Sequence, residues 1–173
     1  MTDSFASRLI LRPPTLADEA AVRALNEVFV SEDFEFSFIH EGESWADYVA
    51  RVEREAEGRD LPEGRVRAAF LLAEVDGQIV GRTSIRFALN DFLRQYAGHV
   101  GYGVAPEFRR RGVATEILRR SLALLAEAGV DRALVTCTET NLGSRGVIEA
   151  CGGVLENTVE DPDGRQMRRY WIG

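Results

Sequence analysis

Apolar side chains recur every second residue in some stretches of this chain and every third or fourth in others, and these changes of period predict strands and helices in turn. Arg8 to Arg12 alternates as a first strand, closed by Pro13 and Pro14. Thr15 or Asp18 then caps a helix with Ala21, Val22, Leu25, Val28 and Phe29 on one face, which reads as core packing. A second helix runs from about Ser44 to Glu57 and stops at Gly58. Leu61 to Gly64 is a turn, and Ala68 to Val75 and Ile79 to Leu89 form a hairpin about Asp76-Gly77. Asn90 to Tyr96 is a connector with no strong signal.

Val100, Tyr102 and Val104 then alternate with His99, Gly101 and Gly103, a strand whose second face is nearly bare. It should stop near Ala105, because Pro106 cannot donate to a ladder. A long helix starts near Gly112, buries Val113, Ile117, Leu118, Leu122, Leu124 and Leu125, and stops at Gly129. Ala133 to Thr138 follows as a strand parallel to the one before the helix, reached by a right-handed crossover. Asn141 caps a last helix ended by Gly152-Gly153. Val154 to Val159 and a strand through Arg168, Tyr170 and Ile172 close the chain as a hairpin about Pro162, Asp163 and Gly164. This order predicts one α/β (α+β) domain over residues 1–173, a mixed sheet with helices on its faces.

Composition narrows the class. With 45% hydrophobic and 28% charged residues, the 173-residue chain reads as an ordinary soluble globular domain. A formal charge of −7 argues against a general nucleic-acid binder and makes the arginine triplet Arg109, Arg110, Arg111 look like a local device. Cys137 and Cys151 fit no zinc spacing and no disulfide framework, which points to a reducing compartment. With no signal-peptide core and no membrane-length apolar run, a cytoplasmic protein is expected.

The chemistry concentrates where the bare strand runs into the triplet. A helix start presents free N–H groups and partial positive charge, and Gly112 lets an anion approach them. Neighbouring arginines add charge-assisted contacts to phosphate. The alternative is a solvated basic run before an ordinary helix.

Arg109, Gly112 and Ala114 match an R/Q-x-x-G-x-G/A signature, and the chain resembles the GNAT superfamily of acyl-CoA-dependent N-acetyltransferases. HVGYGVAPEFRRRGVAT, LVTCTETNLGSRGVIEACGGVLEN and the terminal RRYWIG are similar to a bacterial group described as predicted acetyltransferases of unknown substrate. The resemblance covers most of the chain and is strongest after Gly81. It implies a mostly antiparallel mixed sheet of about seven strands flanked by about four helices, the fourth and fifth strands splaying to admit the cofactor. It implies acetyl-CoA as co-substrate, no metal, and cofactor contacts from Tyr102, Val104, Arg109, Arg110, Arg111, Gly112, Val113, Ala114 and Thr115. It adds Asn141 on the pantetheine arm and Ser144 by the phosphates.

The implied activity is transfer of an acetyl group to a primary amine by direct attack on the thioester, its oxygen polarised by a backbone N–H near Tyr102 to Val104. The alternative is a non-catalytic acyl-CoA-binding or sensing module of the same fold. Two departures from the family pattern bear on that choice. Ile148 stands where many members carry an acidic tyrosine, and Thr136 where some carry a basic glutamate. His99, Tyr102 and Glu139 are the replacement candidates, with Tyr170 behind them; each also has an ordinary packing or surface reading. The expected partners are a small-molecule or peptide amine acceptor and a second copy of the chain, with neither nucleic acid nor membrane. Two further features face either way. The acids Glu32, Asp33, Glu35, Glu41 and Glu43 either cover a helix or select a cationic amine, and Arg82 and Arg86, sharing one strand face with Ser84, meet either an acidic substrate or the chain's own carboxylates.

Overall fold

Short side-chain acceptors and left-handed glycines set the helix limits. Ser44 accepts from the Asp47 N–H at the start of α2 (Trp45–Glu57), and Gly58, at φ 72°, ends it. Asn141 does the same for α4 (Leu142–Ala150), accepting from the Ser144 N–H. The computed structural model describes residues 4–173. The remaining helices are α1 (Glu19–Val30) and α3 (Val113–Glu127). The strands are β1 (Ile10–Arg12), β2 (Ala68–Val75), β3 (Gln78–Arg86), β4 (Val100–Val104), β5 (Ala133–Thr138), β6 (Val154–Glu160) and β7 (Gln166–Ile172). They form one seven-stranded sheet in the order β1-β2-β3-β4-β5-β7-β6, antiparallel except where β4 meets β5.

Two apolar layers cover the sheet. On one face Ile117, Leu118 and Leu125 of α3 and Ile148 of α4 pack on Ile85, Val100, Val135, Tyr170 and neighbours. On the other, Val22 and Phe29 of α1 and Trp45, Tyr48 and Val52 of α2 pack on Phe70 and Leu72 of β2. Burial of this kind stabilises by about 25 cal/mol per Å² of apolar surface.

Two expected boundaries move, and the connector before β4 proves structured. Phe5–Arg8 is a 3₁₀ turn, so β1 begins only at Ile10 rather than Arg8. β3 ends at Arg86 rather than Leu89, with one further in-register bond to the approach of β2, from the Phe87 N–H to the Arg67 carbonyl. The connector before β4 contains a π-helical turn, Leu93–Ala97, capped by Gly98 at φ 66°. There a Cβ would come within 2.4 Å of the Leu134 carbonyl oxygen, so only glycine lets the chain enter β4 this close to β5.

Candidate active site at the fork between β4 and β5

β4 is paired along one edge and almost free along the other. Val100 to Val104 all have register partners in β3, whereas Val100 opposite Val135 is the one register pair with β5 among the described residues. The expected splay is present. The Arg86 N–H donates to the His99 carbonyl at 2.8 Å, which sets the phase of the β3 ladder. Antiparallel alternation then turns the Gly101 and Gly103 amides toward β3 and those of Tyr102 and Val104 into the fork.

His99 closes the base of that fork. Its N–H donates to the Leu134 carbonyl at 2.7 Å, and its Nδ1 accepts from the Leu134 N–H at 2.9 Å. Accepting at Nδ1 leaves the ring neutral with its proton on Nε2. Burial holds the imidazole pKa below its ordinary value of 6.5. The unfolded chain therefore takes up a proton first as pH falls, so this contribution to stability is intact above about 6.5 and is lost toward the lower folded-state pKa. A His99→Gln variant, whose amide oxygen can still accept from Leu134, is expected to lose this part of the acid sensitivity in urea unfolding between neutral and mildly acidic pH. His99→Ala should cost about 1–3 kcal/mol at neutral pH through the orphaned buried Leu134 N–H. A pH profile identical to the wild type in the glutamine variant rules the imidazole out as its cause.

Beyond the open end of β4, α3 begins at Gly112, at φ 80°, with no side-chain cap. A Cβ there would meet only Ala6, at an ordinary 3.6 Å, so the space over the helix start is open. Arg110 is also left-handed, at φ 61°. Glu116, the one acid of the first turn, is held by Arg119 and Arg120 at 2.9 and 2.8 Å, which mutes its opposition to an anion. The other two arginines are committed elsewhere. Arg109 donates from Nε to the Val104 carbonyl at 2.9 Å and grips Glu32 through both terminal nitrogens, at 3.0 and 2.6 Å. Arg111 lies over the Phe5 ring at 3.8 Å. Val113 is buried in the core, and Ala114 and Thr115 are half-buried behind it.

Across the fork a short relay links α4 to β4. Asn141 accepts from the Ser144 N–H at 2.9 Å, and the Ser144 hydroxyl lies 2.7 Å from that of Tyr102. Burial pushes the Tyr102 phenol well above its ordinary value, so it keeps its proton at neutral pH. Ile148 is fully buried in the core, so nothing titratable replaces the family tyrosine at that position. The Tyr170 hydroxyl is engaged by Arg168 and Glu149, each at 3.2 Å. Glu139, just past β5, is exposed and 3.4 Å from Arg168. Burial raises the Cys137 thiol pKa, which suits a small core group better than a nucleophile.

The opposite face of β4 is where sequence reading falls short. The expected bare glycine face is covered: a Cβ on Gly103 would sit 2.6 Å from the Phe34 ring. Arg82 and Arg86, for which the chain's own carboxylates are the ordinary partners, form no ion pair among the described residues. Arg82 donates to the carbonyls of Phe36, Glu35 and Gly101 at 2.9, 2.7 and 3.1 Å and lies between the Phe34 and Phe38 rings. Beyond it opens a cleft of about 640 Å³ between β3, α2 and the π turn, with Arg86, Ser84, Glu35 and Phe38 in its wall. The acidic segment is partly spent. Glu32 is held by Arg109, and Glu43 by Arg51, which brings the Glu43 carboxyl down to about 2. No periodicity in the sequence signals this arrangement, since carbonyls 46 and 47 residues away and the rings beside them supply it.

Comparison with known proteins agrees with this architecture. The model of the acetyltransferase (GNAT) domain matches residues 8–154, and the chain belongs to that family. RimJ from Mycobacterium smegmatis, solved with CoA-disulfide, is similar at 23% identity and a TM-score of 0.72, covering 95% of this chain and 81% of its own. YncA from Salmonella typhimurium, solved with acetyl-CoA, shows 15% identity and a TM-score of 0.64, covering 95% of this chain and 93% of its own. RimL, a ribosomal alpha-N-protein acetyltransferase solved with coenzyme A, shows 16% and 0.69, covering 96% of this chain and 94% of its own. At these identities the likeness is one of fold. No helix among the described residues is long and apolar enough to cross a membrane.

Proposed function

We propose that this acetyltransferase moves the acetyl group of acetyl-CoA to a primary amine by direct attack on the thioester. The observation that carries this reading is the fork itself: two strand amides, of Tyr102 and Val104, left without strand partners beside an uncapped helix start. The residues fit the co-substrate. Gly112 and the α3 amides would hold its phosphates, with Arg110 the arginine of the triplet free of protein partners among the described residues. When bound, acetyl-CoA supplies an activated acyl carbon and a sulfur leaving group.

The chain's own groups then divide the work. The Tyr102 and Val104 amides offer donors to the carbonyl oxygen, the logic of an oxyanion hole placed on a strand edge. Tyr102, protonated and held against Ser144, keeps its proton at Oη to meet the departing sulfur. The amine, with a pKa near about 10, must shed a proton before it attacks, and Glu139 is the candidate to receive it. His99 positions β4 against β5 and is not assigned a chemical step. Placing both reactants side by side can supply about 7–11 kcal/mol of the barrier, so no strongly shifted base is required.

The test is calorimetric titration of acetyl-CoA followed by thiol release across an amine panel. Binding with thiol release on an amine supports the proposal, and binding without release on any amine favours the sensing module. Tyr102→Phe is expected to lower kcat about 100-fold. Its acetyl-CoA affinity should stay unchanged, and an unchanged kcat removes Tyr102 from the chemistry.

A further inference from the structure

Arg86 is a half-buried cation of the sheet that, unlike Arg82, has no protein acceptor for its guanidinium among the described residues. Burial lowers its guanidinium pKa, and no neighbouring acid raises it again. Among the described residues its guanidinium has neither a carboxylate nor a hydrogen-bond acceptor as partner. Its neighbour sharpens the imbalance. Arg82, 3 % exposed, shares the same strand face, and a point at the Cβ position of Gly101 would lie 3.5 Å from Arg86 Nη1 and 3.7 Å from Arg82 Nη1. Arg86 adds to the forces lowering the Arg82 pKa. Two like charges converge over one bare glycine. Ser84, between them on β3, is 8 % exposed and its hydroxyl has no partner among the described residues.

A guanidinium that is largely withdrawn from water, has no protein acceptor and faces an open cleft is placed to take a bidentate anion entering that cleft. That anion is not a coenzyme A phosphate. Arg86 lies beside His99, before the start of β4, whereas the helix start expected to take phosphates follows its end. The intervening strand spans on the order of 13 Å at about 3.4 Å per residue. Arg86 also projects on the sheet face opposite α3, into the cleft shared with Glu35 and Phe38. The cleft therefore carries both signs, a bare guanidinium and, at Glu35, a carboxylate that meets no arginine side chain in an ion pair among the described residues.

We propose that the amine acceptor also bears a carboxylate, which Arg86 and the Ser84 hydroxyl bind on the floor of this cleft. The substrate class is an amino acid, or a peptide N-terminus with an acidic side chain, rather than a simple alkylamine or aminoglycoside. This deepens the proposed acetyl transfer and rests on it for the identity of the reacting amine, although the carboxylate site itself does not.

The test compares the wild type with Arg86→Met and Arg86→Lys. In thiol-release assays, free amino acids are set against their carboxamides, and peptides with aspartate at the second position against the asparagine analogues. A preference of 30-fold or more in kcat/KM for the carboxylate member, collapsing toward parity in Arg86→Met with the carboxamide rate unchanged, is expected. The pair that shows it, amino acid or peptide, identifies the source of the carboxylate. Equal rates for the two members of every pair, or equal loss for both in Arg86→Met, overturn the proposal. Two readouts are independent of turnover. Thermal unfolding should leave Arg86→Met at or above the wild-type Tm, since an unpaired, half-buried charge is removed; a clear fall means that Arg86 has a structural partner and sinks the idea. Calorimetric titration of the same amino acids into coenzyme A-saturated protein should show binding that Arg86→Met abolishes and Arg86→Lys weakens. Such binding without thiol release leaves the carboxylate site standing and removes acetyl transfer, whereas amines that react without regard to their carboxylates remove only the site.

Discussion

Gly112→Asp is expected to raise the acetyl-CoA dissociation constant by at least 100-fold, to the point where calorimetry detects no binding. Three effects act together at that position. The backbone sits at φ 80°, where any side chain adds about 1–2 kcal/mol of strain. The start of α3 has no side-chain cap, so an introduced carboxylate would satisfy its free N–H groups from within the chain. It would also stand where a phosphate is expected, and two unit charges about 4 Å apart repel by about 4 kcal/mol at the effective dielectric of a protein surface. Since about 1.4 kcal/mol is a factor of ten in affinity, even half of that repulsion added to a self-made cap exceeds the stated threshold. Gly112→Ala separates the causes. The space above it is open, Ala6 lying 3.6 Å from the added Cβ, so the alanine carries the backbone strain without the charge. It should lower stability by about 1 kcal/mol while binding acetyl-CoA within a few-fold of the wild type. Tight binding by the aspartate variant would remove the phosphates from this helix start.

Arg82→Met is expected to destabilise the fold by about 3–6 kcal/mol, a large part of the 5–15 kcal/mol typical of a domain. The guanidinium is buried, and burial together with Arg86 brings its pKa down to about 9 while leaving it charged at neutral pH. What holds it is not a carboxylate. The carbonyls of Glu35, Phe36 and Gly101 accept its three hydrogen bonds, and the Phe34 and Phe38 rings enclose it at 4.4 and 4.8 Å. Methionine fills most of the volume and supplies no donor, so the buried Phe36 carbonyl and the part-buried Glu35 carbonyl lose this donor at about 1–3 kcal/mol each before relaxation, while the Gly101 carbonyl keeps its β3 ladder position. The same bonds fasten the segment from Phe34 to Phe38, which walls the cleft through Glu35, Ser37 and Phe38 and holds Phe38 at a left-handed φ of 58°. Amide exchange in that segment should accelerate more than in α3. A methionine variant as stable as the wild type would mean that water or a local shift re-satisfies the carbonyls.

Arg82 also marks where reading the sequence stops short. Its position on one strand face with Ser84 and Arg86 follows from the two-residue period, and the structure keeps all three on that face. Their partners do not follow from any period. The carbonyls of Glu35 and Phe36 lie in a segment between α1 and α2 that has no regular hydrogen-bonding pattern of its own, so nothing local to either stretch announces the contact. The arginine triplet behaves the same way. Its place before a helix is legible from Gly112 and the apolar face that follows, but the commitment of Arg109 to Glu32 and of Arg111 to Phe5 requires α1 and the N-terminal turn to be packed beside it.

What the sequence determined by itself is therefore the set of elements and their order, along with the glycine-led start of α3. Ser44, Gly58, Asn141 and Gly112 act through backbone groups within a few residues, and such local chemistry survives without tertiary context. Tertiary structure alone decided which strand amides were left free, which arginines were paired and which was left bare. Those outcomes depend on long-range pairing: β3 occupies one edge of β4, β5 departs after Val135, and Phe34 covers Gly103. Electrostatic compensation of a buried charge is a property of everything around it, and the surroundings of Arg86 exist only once the sheet, α2 and the π turn have closed about it.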